Sequence, residues 1–453
     1  MSVNLLATAR EFASSSEPWF RERLKLLVEH KTVSPGKVDD SAIVAGAEAA
    51  RELMQDAGAE AELVATAGTP AILGRFGHPN PRVRVCIYNH FDVQPATADA
   101  WTQKDPFAFE VEDHPEREFL YRGRGATDDK GPALCALRAA SHVAQNDLPV
   151  EVLLLWETEE EIGSPNFDDI LDAKKDELKP DFVIVSDTVW PSPNQPAIST
   201  GLRGGLSCTM HLRTAHKPAH SGMAGGVARN PLAELAMLAA AMKQATFWWD
   251  DVVPPSASEI KDFMACGFDP EYFREAYALS DMETDIPLEM MLNLWARPTC
   301  EILGLPGGYS GPGVKTAVPP EAELKLNFRL VPNQDPRKLE DRLRSFVADH
   351  NRDVEVKVLG YFDPYSAPTE GKFHDAISTG MEGAFGKRPV TIREGGSIGA
   401  VPKMANKLGV PVHFLPLSLP DHGYHAPNEY FDWRQGRGGI EAYVRLFSAL
   451  ARG

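Results

Sequence analysis

Two apolar runs of this chain end in clusters of ionisable residues: VRVCIYNHFDVQP over residues 83–95 and VEVLLLWETEEEIGS over 150–164. Between them lies YRGRGATDDKGP, at 121–132. Strands this apolar are covered on both faces, which implies a parallel α/β sheet flanked by helices. In open sheets of that kind, ligands bind outside the carboxyl ends of the strands. The pattern therefore carries His90, Asp92, Asp128, Asp129, Glu160 and Glu161 toward one place. Five of these six groups are carboxylates. At short range they repel one another, and desolvation adds to the cost. One or two divalent cations relieve that cost most simply, so a metal-dependent hydrolase is the first expectation.

Periodicity organises the rest. Residues 16–30 read as an amphipathic helix, with Ser16 as cap, Pro18 in the first turn and Phe20, Leu24, Leu27 and Val28 on the apolar face. A second helix spans 41–56 and stops at Gly58. Strands at 83–88, 150–156 and 181–186 then alternate with helices at 130–146 and 166–175. Near Thr200 the texture changes. Residues 206–214 alternate with period two, Asn230-Pro231 opens a long helix, and 246–300 are less regular. In 323–332, Leu324, Leu326, Phe328 and Leu330 take one face, and Lys325, Asn327 and Arg329 the other. From about Phe373 the α/β style resumes, with strands at 389–393 and 410–415 and a final helix near 440–451. The expected architecture is a mostly parallel, doubly wound catalytic domain (1–201 and 366–453). An inserted α+β lid or dimerisation domain with an antiparallel sheet (202–365) interrupts it.

Net charge is −18, from 46 Lys and Arg against 64 Asp and Glu. That balance argues against nucleic acid or an anionic membrane as a partner. The five cysteines are scattered and contain no CxxC pair, which fits a reducing compartment and no disulfide framework. MSVNLLATAREF lacks the basic and apolar regions of a secretion signal. A cytoplasmic protein is expected.

Each cluster has a plain structural alternative. His90 and Asp92 alone read as a polar pair at a strand end. Asp128 and Asp129 read as a helix cap and first-turn carboxylate. Glu159, Glu160 and Glu161 read as a solvated turn, and His425, in DHGYHAPNEY, as a loop residue. The weight lies in position, because every cluster comes after a strand or opens a helix. Asp187 joins them after strand 181–186.

The segments NHFDVQP, GRGATDDKGP, ETEEEIGS, VSDTVW and GYHAPNE, in this order, resemble the di-zinc metallopeptidase family of carnosinase, aminoacylase, succinyl-diaminopimelate desuccinylase and glutamate carboxypeptidase. The resemblance covers nearly the whole chain and is nearest to the carnosinase-like dipeptidase branch. It implies two Zn²⁺ per chain, with Mn²⁺ or Co²⁺ as substitutes. Asp128 is then the bridging ligand, and His90, Glu161, Asp187 and His425 are the terminal ones. Asp92 orients His90, and Glu160 is the general base. In the insert, HSGMAGG at 220–226 implies an oxyanion-stabilising His220 acting across a homodimer. GYSGPGVKTAVP and FRLVP place Thr316 and Arg329 near a substrate carboxylate. REGGS adds Arg393 and Ser397 on the substrate side. Asn89 and Pro218-Ala219 depart from the family pattern and bear on substrate preference.

The implied reaction is hydrolysis of the amide bond of a dipeptide or small peptide with a free C-terminal carboxylate. An N-acyl amino-acid amidohydrolase on the same metal core is the alternative. A rival of another class is a serine hydrolase with Ser397, Asp421 and His425, since GGSIG at 395–399 fits a nucleophile elbow. It leaves the cluster at 90–187 without a role and takes His425 from the metal. A non-catalytic binding protein on the same fold is a third reading, weakened because no expected ligand or base is missing. Zincin chemistry is disfavoured, as HExxH does not occur.

Overall fold

The computed structural model describes residues 5–36 and 40–452, so the first four residues of MSVNLLATAREF lie outside it. A six-stranded sheet forms the centre, in the order Glu60–Val64, Ala71–Phe76, Val150–Glu157, Val83–His90, Phe182–Val185 and Val412–Phe414. The last four strands pair in parallel, and the first two join antiparallel at one edge. Alternation along the strands splits the core in two. Val85, Ile87, Val152, Leu154 and Ile184 face the helices Gly131–Gln145 and Trp433–Leu450. Cys86, Tyr88, Leu153, Leu155 and Val183 face Phe167–Leu178 and Ala400–Leu408. Each such apolar side chain removed from water stabilises the fold by about 1.5–3 kcal/mol.

A second sheet is wholly antiparallel, in the order Thr299–Gly304, Glu321–Leu330, Gly204–Arg213 and Glu355–Phe362. Its inner face, with Leu206, Cys208, Met210, Leu324, Leu326 and Phe328, packs on helices Pro231–Gln244 and Pro336–His350. Asn230 caps the first of these, its side chain accepting the amides of Leu232 and Ala233. Such a cap is worth about 1 kcal/mol. The helices Ala257–Ala265, Pro270–Ala276 and Pro287–Trp295 do not share this core. Phe263, Met291 and Trp295 instead bury against Ala197 and Ile392, which belong to the parallel pair Ala197–Ser199 and Val390–Ile392.

Three local readings change. Ser16 is no cap: its backbone is helical, and its hydroxyl donates to Phe12 O at 2.8 Å. The cause is an unforeseen helix, Leu5–Ser15, that runs straight into the next. The last helix starts at Trp433, ahead of the expected 440. Gly436, Gly438 and Gly439 lie in its added first turns and let this helix pack closely. A Cβ on Gly439 would lie 2.6 Å from Leu417, and one on Gly438 2.2 Å from Phe385. The small sheet Glu110–His114, Glu118–Arg122 and Tyr430–Asp432 is likewise unforeseen. No helix among the described residues is long and apolar enough to cross a membrane. All five cysteines are buried and free.

Candidate active site

His90 ends its strand and pairs with Glu157, so the ends of the two central strands lie level. Asp187 stands two residues past the neighbouring strand end, Val185. Asp128 and Asp129 sit in the turn before helix Gly131–Gln145, and Glu160 and Glu161 in the single turn after Val150–Glu157. Gly163, at φ 87°, supplies the left-handed exit of that turn. His425 arrives on the loop after Pro420–His422.

These elements converge. His90 Nε2 is 2.8 Å from Asp128 Oδ1 and 3.8 Å from Asp187 Oδ2. His425 Nε2 is 3.2 Å from Asp128 Oδ2 and 3.0 Å from Glu161 Oε2. Two triads result, His90–Asp128–Asp187 and Asp128–Glu161–His425, each with its donor atoms within 4.8 Å of one another. Asp128 belongs to both, one oxygen turned to each.

The cluster is electrostatically strained. Burial pushes the Asp187 carboxyl up to about 7, with Asp128 and Glu161 adding to it and both histidines opposing. Burial likewise raises Glu160 well above the carboxylate range; His90 opposes this, while Asp187, Glu161 and Asp92 reinforce it. Asp128 goes the other way: burial would raise it, but the two imidazoles hold it well below the usual range. Asp128 Oδ2 is buried facing the His425 imidazole, and the buried Asp129 Oδ1 accepts no hydrogen bond among the described residues. Imidazole nitrogens and carboxylate oxygens that converge with lone pairs unspent are a donor set suited to divalent cations such as zinc.

A surrounding layer fixes these groups. The Asp92 carboxylate accepts the backbone amides of Glu160 (3.1 Å) and Glu161 (3.0 Å) and the Ser34 hydroxyl. His90 Nδ1 lies nearer to the Asp92 main-chain oxygen, at 2.9 Å, than to its carboxylate, at 3.6 Å. Asp92 thus orients His90 chiefly through the backbone and spends its side chain on the glutamate turn. Asn89 donates to Asp129 Oδ2 at 2.7 Å, and Gln94 to Glu161 Oε2 at 2.7 Å. Tyr424 OH is 3.4 Å from Asp187 Oδ1. Glu429 is fully buried. It pairs with Arg124 at 2.8 Å and accepts the amides of Gly125, Thr127 and Asp128. Sequence reasoning passed over Glu429 and Tyr424, although both lie in GYHAPNEY beside His425.

The residues expected on the substrate side divide. Arg329 donates from Nη1 to Ser397 Oγ at 2.9 Å, and among the described residues no carboxylate pairs with it. Arg393 donates from Nε and Nη2 to Glu259, at 2.9 and 2.7 Å. His220 and Thr316 lie close to one two-stranded antiparallel pair, where Ala219–His220 pairs with Ala317–Val318 and the Ser221 amide donates to Thr316 O at 3.0 Å. Both are exposed, and among the described residues no hydrogen bond or ion pair ties either to the two triads. The serine triad is contradicted. Asp421 bonds Arg117, Tyr272 and Tyr430, His425 faces Asp128 and Glu161, and Ser397 takes Arg329.

A mixed sheet with a carboxylate–imidazole cluster at its strand ends, carrying an inserted antiparallel sheet, defines the class as a metallopeptidase. Residues 86–449 match the sequence profile of peptidase family M20/M25/M40, and the chain belongs to that family. It is 29% identical over 401 residues to human Beta-Ala-His dipeptidase, covering 84% of this chain and 78% of that protein. With the Cys-Gly metallodipeptidase DUG1 of Candida albicans it shares 30% over 380 residues, 80% of this chain and 78% of that one. The crystal structure of the M20 family metallo-carboxypeptidase Sso-CP2 from Sulfolobus solfataricus superposes with a TM-score of 0.85 at 27% identity, covering 95% of this chain and 98% of that one.

Proposed function

We propose that this chain hydrolyses the amide bond of dipeptides that carry a free C-terminal carboxylate. The observation that carries this reading is the pair of triads sharing Asp128, with the half-buried Glu160 alongside. The dipeptidase names of its relatives support the substrate class. His90, Asp128 and Asp187 would hold one cation and Asp128, Glu161 and His425 the other, zinc being the proposed ion and Mn²⁺ or Co²⁺ substitutes. Bound there, divalent cations acidify a water and polarise a carbonyl oxygen.

The chain's own groups do the rest. Glu160 takes the proton of the attacking water and delivers it to the leaving amine nitrogen. Arg329, which has a planar fork and no carboxylate partner among the described residues, receives the substrate carboxylate, with Ser397 beside it. We also propose that the inserted stretch 202–365 pairs two subunits. His220 of the partner subunit then steadies the developing negative charge on the carbonyl oxygen. Its exposure, away from its own chain's triads, supports a role in trans. The five free cysteines support a reducing, cytoplasmic setting.

A hydrolysis screen of dipeptides against N-acyl amino acids, with and without a metal chelator, tests the proposal. Chelator-sensitive cleavage of dipeptides is expected. Cleavage of N-acyl amino acids alone would move the chain to the deacylase alternative, and chelator-resistant cleavage would contradict the metal core.

A further inference from the structure

A cavity of about 360 Å³ opens beside the triads. Tyr424, whose hydroxyl is 3.4 Å from Asp187 Oδ1, forms part of its wall, as does Val189, two residues beyond Asp187. The wall is largely aromatic. Trp190 and Tyr424 come from the loops after the parallel strands, and Phe268, Phe273, Tyr277 and Trp295 from the inserted stretch. The inserted rings brace one another. Phe268 lies 5.5 Å from Phe273 and 6.1 Å from Trp295, and Phe273 lies 4.6 Å from Tyr277. Tyr272, on the same helix as Phe273, donates to Asp421 Oδ1 at 2.7 Å, which pins this wall to the metal-bearing part of the molecule. Tyr277 keeps 50% of its surface exposed, as a ring that faces a cavity does.

One charged side chain lines the pocket. Glu394 accepts the amides of Val189 (3.2 Å) and Gly395 (3.0 Å). It stands three residues before Ser397, the residue that Arg329 touches. The loop 394–397 therefore has an acidic end at the pocket and a cationic neighbour at the other.

Resting on the dipeptidase reading, we propose that this pocket receives the side chain of the residue on the amino side of the scissile bond, and that it selects a large apolar or aromatic one. An apolar cavity of about 150 Å³ already holds a benzene-sized group, so the space here suffices for a phenyl or indole ring. Rings of the wall offer edge and face contacts to a substrate ring beyond the gain from burial. Glu394 repels a substrate carboxylate from the pocket, which leaves the C-terminal residue at the Arg329 end. Small side chains would leave the aromatic wall uncovered and forgo that stabilisation.

Steady-state kinetics of the metal-loaded enzyme on Gly-Gly, Ala-Gly, Leu-Gly and Phe-Gly tests this. kcat/KM is expected to rise along the series, by at least about tenfold from Ala-Gly to Phe-Gly. Two variants probe the wall through the ratio of these two substrates, a readout that partial loss of folded enzyme does not move. Tyr277→Ala should lower the Phe/Ala ratio by removing a ring. Gly395→Leu should lower it by filling the space, since a Cβ there first meets Leu294 O at an ordinary 3.5 Å. A flat or falling series in the wild type, or an unchanged ratio in both variants, overturns the inference while leaving the dipeptidase reading standing. Absence of cleavage across the whole series overturns the dipeptidase reading itself.

Discussion

Asp92 Oδ1 accepts the backbone amide of Glu160 at 3.1 Å, across 68 residues of sequence. Its other oxygen accepts the next amide, that of Glu161, at 3.0 Å. One carboxylate on the central strand thus fixes the turn from which two neighbouring glutamates diverge. Glu161 reaches His425 and Gln94, while Glu160 stays in the buried field of Asp187 and Asp92.

The divergence assigns different phenotypes to adjacent residues. Glu160→Gln should keep its metals and lose about 10²–10⁴-fold in kcat, the range for removal of a general base. Glu161→Gln should lose metal first and activity as a result. Metal analysis and kcat measured on both variants check this. Swapped phenotypes would shift the proposed roles by one residue.

Glu429 holds the loop that presents Asp128. Replacing it with Ala leaves the buried Arg124 and three amides without their acceptor, a loss of about 3–5 kcal/mol by analogy with other broken buried pairs. Denaturant unfolding of the Glu429→Ala protein checks the stability. A metal titration should show weaker binding, because the backbone of Asp128 loosens. Stability indistinguishable from wild type would mean that the loop holds itself.

His413 sets part of the acid limit of stability. Burial, helped by the charge of His374, pushes its imidazole down to about 4, from an ordinary 6.5. The unfolded chain takes a proton that the folded state refuses. The contribution to stability is therefore complete above pH 6.5 and is lost as pH falls toward 4. By about pH 5 the loss is about 2 kcal/mol. Urea unfolding at about pH 7 and about pH 5 should show a smaller acid-side loss in His413→Leu than in wild type. Equal losses would place the acid limit elsewhere.

The strand-end logic was legible because the central strands are apolar on both faces. Val83–His90 and Val150–Glu157 stand out as buried strands, and the ionisable residues at and just beyond their carboxyl ends build the site. Tertiary contacts hid the rest. Arg393 pairs with Glu259, which lies 134 residues away, and no periodicity reveals that partner. Glu429 was passed over because its partners sit 301–305 residues earlier. The edge strand Glu110–His114 carries mostly exposed polar residues and has no apolar pattern to find.

His220 tests the assembly. A His220→Ala chain and a Glu160→Gln chain, each weak alone, are combined as verified heterodimers. If His220 works in trans, one hybrid site regains both groups and activity partly returns. If it works in cis, every hybrid site still lacks one group and nothing returns.

In the proposed arrangement Asp128 joins two cation sites. Elemental analysis of zinc-saturated protein, paired with activity before and after chelation, measures it most directly. Close to two divalent ions per chain are expected, one for each triad, with activity lost on removal and recovered on return. Close to zero bound ions at full activity would contradict it.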